Sequence, residues 1–277
     1  MKRNEETEEE LPTEVQRNIP ANGLRHIGSH ALQSSGDQAV NASTILPWLF
    51  GVLGVPAGLT GLLVPIRESG SMLPQAFLTP IVTRVRYRKW VFVAGALIQA
   101  AAVAAMAATA AFASGLTAGI VIIVALAIFS LGRCLGSISS KDVQGRTIPK
   151  GERGQINGLS TVVSGIVAIT LGLAIRWIGG DTLTPGQFAA VLALGALCWV
   201  GVALVYSRMV EPADEDHDDD HHDSPLKTTV HLLRDDVPFR HFVIARSLLL
   251  VSSLSPTVFL LGGGVGGSKR VQPDSPA

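Results

Sequence analysis

Charge is the scarcest property of this chain. Only 16% of its 277 residues are Asp, Glu, Lys or Arg, against about 25% in an ordinary soluble domain. Hydrophobic residues make up 47%, and the mean hydropathy is +0.38. That balance excludes a typical soluble globule. The chain has only 2 cysteines. Cys134 and Cys198 both fall in apolar segments and share no ligand spacing, so neither a disulfide framework nor a zinc site follows. No GxSxG, no P-loop GxxxxGK[ST] and no HExxH occurs, and the glycines at 262–267 follow no predicted strand, so no dinucleotide loop is expected. No enzymatic activity, cofactor, metal site or nucleic-acid partner is therefore expected. Residues 1–17 are polar and rich in glutamate, without the apolar core of a cleavable signal peptide. The first membrane segment then has to act as the insertion signal.

Long apolar runs fill most of the remainder. Residues 1–24 read as a disordered cytoplasmic tail, from their glutamates and prolines. From 25 to 209 six spans are expected. Span one, at 24–53, is interrupted by Ser34, Ser35, Asp37, Gln38 and Asn41, and span two covers 57–82 after a turn at Gly54 and Pro56. The others lie at 90–112, 116–138, 159–178 and 188–206. Each is near the ~20 residues that cross about 30 Å of hydrocarbon. Residues 210–242 read as an acidic loop followed by an amphipathic lead-in, 243–261 as a partial seventh span, and 262–277 as an aberrant glycine-rich tail. The fold class expected is thus an all-α integral membrane protein, a six-helix transmembrane bundle with part of a seventh span, in contact with the lipid bilayer. His217, His221 and His222 among the carboxylates of the acidic loop read as a solvated linker rather than a metal site.

Although 22 basic and 22 acidic residues cancel, their positions do not mix. Arg84, Arg86, Arg88 and Lys89 follow span two, and Lys141, Arg146, Lys150 and Arg153 surround the junction of spans four and five. The loops near Val55, near Ser114 and at 179–186 hold only Asp181. Basic residues gather in cytoplasmic loops, so a multi-pass plasma (inner) membrane protein with a cytoplasmic N-terminus is expected.

Inside span two stand Arg67 and Glu68, flanked by Pro65, Gly70 and Pro74. Ionisable groups at that depth are costly and mark ion, proton or substrate paths. At about 1.5 Å per residue, Arg67 lies ~15 Å below the outer end of its span, and Asp37 lies ~15–20 Å above the inner end of span one. The two can be level, so Asp37 is the expected partner of Arg67. Adjacent residues point about 100° apart on a helix, which leaves Glu68 as the candidate to exchange protons. Gln75, roughly two turns on, can add a hydrogen bond. A static ion pair that fixes packing fits the same residues. Arg133, in span four, either snorkels to the inner interface or meets an anionic substrate, with snorkelling the favoured reading.

This layout resembles the major facilitator superfamily of secondary transporters. Asp142, Pro149, Arg153, Gly154 and Gly158 are similar to the family's D-x-x-P-x-x-x-R-G-x-x-x-G junction between spans four and five, with a longer interval between Asp142 and Pro149. The run from Arg84 to Lys89 sits where the family has G-x-x-x-D-R-x-G-R-R. Here Pro80, Arg84 and Tyr87 occupy the glycine, acidic and second glycine positions, so only the basic end is kept. The resemblance implies an N-terminal six-span half that is truncated after the start of span seven, with the solute path between two halves near the midplane. It implies transport of an unidentified small solute, with a proton as candidate coupling ion, and pairing with a second half-transporter chain. Asp37, Arg67, Glu68, Gln75 and Arg133 are the path candidates, while Arg84, Arg88, Lys141, Asp142, Arg153 and Gly154 form the expected cytoplasmic gating or structural motif. A non-transporting membrane protein that assembles with another transporter is the alternative.

Overall fold

The computed structural model describes residues 12–179, 183–212 and the single helical positions 234, 237, 240, 241 and 244. Those single positions belong to a second compact unit that starts at Asp219. The acidic loop at 214–223, the glycine-rich tail, and the lead-in and partial seventh span apart from those positions lie outside the described residues. In the first unit, Met1–Asp218, the described residues form helices and no strand.

Helix α1, Thr13–Ala39, begins well before the span expected from residue 24, inside the stretch read as a disordered tail. Val15, Ile19, Asn22, His26 and Ser29 are all buried, and their three- and four-residue spacing is one helix face. The glutamates preceding that stripe dominate the composition and conceal its start. The chain then breaks at 40–44, within what was expected to be one continuous span, and resumes as α2, Ile45–Val52. Two local causes coincide. The Asn41 side-chain oxygen accepts from the Ser43 backbone N–H at 2.9 Å, an alternative to helical bonding that Asn offers readily. Pro47 in turn has no N–H to give, and its ring would meet the carbonyl of residue 43 in a continuous helix.

Proline also divides span two. Pro56 and Pro74 stand at the N-caps of α3, Ala57–Thr60, and α5, Gln75–Val82, and Pro65 lies in the first turn of α4, Leu63–Met72. The single span expected at 57–82 is therefore three short helices. Four long helices follow: α6, Arg88–Phe112; α7, Gly115–Thr147; α8, Lys150–Gly179; and α9, Pro185–Ser207. By length and composition these four can each cross a membrane. At 33 residues, α7 is about 50 Å long, so it carries Asp142 on helix rather than in a loop. A capping box at Thr184 and Gln187 starts α9.

In the first unit α8 packs on α1, α1 on α9, α9 on α6, α6 on α7, and α4 with α5 on α7. The series leaves α8 and α4 at its two flanks. Only 11% of the most apolar stretch of α8 is buried, and Val162, Ile166, Ile169 and Leu173 face outward. The core is carried by α6, α7 and α9, with Phe129, Phe188, Trp199 and Tyr206 fully enclosed. Between helices in lipid there is little hydrophobic drive, and close contact of small residues supplies the attraction. At the α6–α7 crossing a Cβ on Gly95 would stand 2.7 Å from the Gly132 carbonyl, and a Cβ on Gly132 2.7 Å from the Gly95 carbonyl.

The two ends of the bundle differ in character. At one end the Gly115 N–H donates to the Leu53 carbonyl at 2.7 Å, with Gly54 and Gly115 both at positive φ. Trp48 meets Phe188 edge-on there, at 5.1 Å between centroids. The other end gathers the arginines and lysines of the two basic segments.

Gly95→Leu is expected to force α6 and α7 apart, at a cost of about 1–3 kcal/mol. Thermal unfolding of the purified protein in detergent checks this, with Gly154→Leu, at a glycine with open space around it, unfolding as the unaltered protein does.

Candidate functional site

Asp37 lies in the last turn of α1, on a helix otherwise poor in charge at this level. Two arginines reach it from different helices. Arg67, on α4, donates from one Nη to the Asp37 carboxylate at 3.0 Å and from the other to the Val40 carbonyl at 2.7 Å. The second bond answers a carbonyl left open by the break after α1, at a helix end that favours positive charge. Arg67 also lies over the Phe129 ring, 5.8 Å from its centroid. The close approach of Gly70 to Ser130 holds its helix against α7.

Arg133 comes from α7 and donates from a single Nη to both oxygens of Asp37, at 2.5 and 2.7 Å. It does not snorkel to the interface, as its sequence position favoured. The carboxylate in the bundle is a closer partner than water, and in hydrocarbon an ion pair outweighs a long reach. Among the three side chains exposure rises from 13% for Arg67 through 21% for Asp37 to 33% for Arg133. Arg133 is thus the most open member.

These groups border a cleft of about 340 Å³ that His30, Gln33, Ser34, Gln38, Asn41 and Ser164 also line. Its α1–α8 wall is closed by reciprocal bonds: the Ser34 hydroxyl donates to the Ser164 carbonyl at 3.1 Å, and the Ser164 hydroxyl to the His30 carbonyl at 3.2 Å. Gly36 has the Trp199 indole where a Cβ would stand, 2.5 Å away, and this contact fixes the turn of α1 that presents Asp37. Glu68, by contrast, is exposed on α4 and is absent from the cleft lining. Gln75 donates back to the Ser71 carbonyl one turn earlier at 2.9 Å, so neither residue joins the cluster directly.

A second polar cluster lies at the basic end. Arg88 pairs with Asp142 across α6 and α7 and donates to the Thr83 carbonyl at 3.0 Å. Arg153 donates to the carbonyls of Ile148 and Gly145 at 2.9 and 2.5 Å, which holds the corner between α7 and α8. Arg84 and Lys141 are exposed, and Gly154 has open space around it.

Sequence reasoning passed over Glu211. Its carboxylate accepts from the backbone N–H groups of Arg88 and Lys89 at 3.1 and 2.9 Å, so it closes the first turn of α6 from 123 residues away. The Lys89 ammonium donates to the Met209 carbonyl at 2.9 Å, and Asn22 exchanges two bonds with Val210 at 3.0 and 3.1 Å. Glu211 stands in the chain at the start of the expected acidic linker. The signal available was its place four residues after the last apolar helix. Burial pushes its carboxyl above the ordinary value, against the two backbone donors and the charges of Arg146 and Lys89. No group of three or more His, Cys, Asp or Glu suited to a metal ion occurs among the described residues.

Long apolar helices that enclose charged side chains define a multi-pass membrane protein. Residues 31–268 match the sequence profile of the Major Facilitator Superfamily, and the chain belongs to that family of transporters. No curated protein and no solved structure gives a significant match.

Replacing Glu211 with Ala removes the cap on α6 and is expected to cost about 0.5–2 kcal/mol of stability. Because the folded state holds the Glu211 proton more tightly than the unfolded chain, its contribution is greatest at acid pH. Stability falls as pH rises from the ordinary carboxylate range through the raised value, and that contribution is level above it. Thermal unfolding across pH checks the sign, and Glu211→Gln is expected to flatten this part of the profile.

Proposed function

We propose that the chain forms one wall of a secondary transport path for a small solute, with the cleft at Asp37, Arg67 and Arg133 as its binding region. The observation that carries this reading is the meeting of three charged side chains from three helices beside a polar cleft. A purely structural ion pair needs two charges, and a third has to be desolvated as well, without an equal return in packing. Arg67 has a structural task in its bond to Val40. Arg133 has none beyond Asp37.

In this reading the basic end is cytoplasmic in the plasma (inner) membrane, following the charge asymmetry of the loops, and the N-terminus is on that side. The architecture is a six-span half, with α1–α2 and α3–α5 as its two broken spans. Discontinuous helices are a recurrent means of exposing backbone groups to a solute inside a membrane. The flank between α4 and α8 faces a second helical half, and Arg88, Asp142 and Arg153 hold the cytoplasmic corner as the bundle rocks. Coupling to protons runs through Asp37 rather than Glu68, because Asp37 holds the arginines. The position of Glu68 on the exposed flank of α4 suits a contact across the path.

Proteoliposomes with an imposed pH gradient and a panel of small solutes test the reading. Flux above empty liposomes is expected, reduced about tenfold or more in Asp37→Asn and in Arg133→Gln, with a smaller change in Glu68→Gln. Absence of flux in the unaltered protein and in Glu68→Gln alike ends the transport reading and leaves a non-transporting partner of another transporter.

A further inference from the structure

We infer that the cleft binds an oxyanion, a carboxylate or a phosphate, which takes the place of the Asp37 carboxylate on Arg133 when Asp37 carries a proton. The inference deepens the transport reading by naming a ligand class for the same site, and it rests on that reading only for the movement of the ligand, not for its binding.

The charge count favours an anion. Arg67 and Arg133 bring two positive charges to the cleft, and Asp37 brings one negative charge. The other residues that line the cleft add no carboxylate. On its own helix His30 lines the same cleft, α8 contributes the neutral Ser164, and α9 has no charged residue along its length. Glu68, on α4, stands outside the lining and exposed, and from there its carboxylate acts on both arginines. With Asp37 ionised the lining keeps one unit of positive charge, which Glu68 offsets from outside the cleft, and with Asp37 protonated the positive charge is one unit greater in either count. A cationic solute would have to enter against both arginines.

Donor geometry separates the two guanidiniums. Arg67 spends its two Nη groups on Val40 and Asp37, which makes it a positioning residue. The Arg133 bonds to Asp37 come from one Nη alone, and among the described residues its other Nη and its Nε have no partner. A guanidinium offers five N–H donors in a planar fork that matches a carboxylate or phosphate edge. Here much of that fork is unspent, on the most exposed member of the cluster and at the edge of the cleft. Gln38 and Asn41 add neutral side chains able to donate to further oxygens.

The exchange balances in charge. One proton binds to Asp37, its bonds to Arg133 weaken, and one oxyanion charge replaces the carboxylate beside the guanidinium. Binding of the anion is therefore linked to uptake of one proton.

The test uses the full chain in lipid-free detergent micelles at constant ionic strength. Protection from thermal unfolding is titrated with inorganic phosphate, with lactate and with tetraethylammonium, at acid and at neutral pH. The expected result is protection by phosphate or lactate, stronger at acid pH, and none by tetraethylammonium. In Asp37→Asn and Asp37→Ser the pH dependence is lost and binding at neutral pH is tighter, while Arg133→Gln weakens it by about tenfold or more and Arg133→Lys recovers part. A parallel arm adds phosphatidylglycerol to the micelles. Protection by that lipid alone assigns the oxyanion to a headgroup, and protection by phosphate or lactate assigns it to a free solute. Protection by the cation alone, by no probe, or by oxyanions equally at both pH values in the unaltered protein overturns the inference, and these arms need no variant to fold. Flux of solutes without oxyanion binding would sink the inference and spare the transport reading. Binding without flux would do the reverse.

Discussion

A carboxylate set among apolar helices has to be paired, and much of this bundle is arranged around that requirement at Asp37. Isolated in hydrocarbon the ionised group would be too costly to keep. Two arginines on separate helices meet it, so α1, α4 and α7 are held in register by charge where small-residue packing alone would let them slide. The break after Ala39 follows the same logic. An open carbonyl at Val40 is tolerable because Arg67, already drawn to Asp37, has a second nitrogen to give it. The ion cluster and the irregular backbone thus stabilise each other.

Packing and polarity are divided between different helices. α6, α7 and α9 approach through glycine and alanine and enclose the large aromatics, while α1, α4 and α8 border the polar cleft, to which α7 adds Arg133 alone. The first group has little reason to move. The second group is joined by hydrogen bonds and ion pairs that water or a solute can replace, which is the kind of contact a site needs if it is to open and close.

Much of this was legible in the residues. The level of Asp37 and Arg67 followed from helical rise alone, because both positions can be counted from the ends of their spans. The pairing of Arg88 with Asp142 joins two segments singled out by their motifs. Arg133 was harder to read, since snorkelling assumes that water is the nearest polar medium, and only the packing of α7 beside α1 puts a carboxylate nearer. The start of α1 was obscured because a buried stripe of Val15, Ile19, Asn22 and His26 is half polar and follows a run of glutamates. Pro65, Gly70 and Pro74 favour a kink in span two, but how many pieces it forms depends on what α7 will pack against. Glu211 carried no motif. Its role depends on which helix end lies beside it, and that is a property of the assembled bundle.

The cap that Glu211 places on α6 also sets an order of events. When α6 leaves the ribosome its first N–H groups have no carboxylate to meet, because the one they bind is 123 residues further along. Asn22 waits longer still, for a backbone partner 188 residues away. The basic end of the bundle is therefore the last to close. Until residue 211 has been synthesised, the helix ends there remain dependent on water or lipid headgroups, and the finished unit is sealed by the segment that leads out of it.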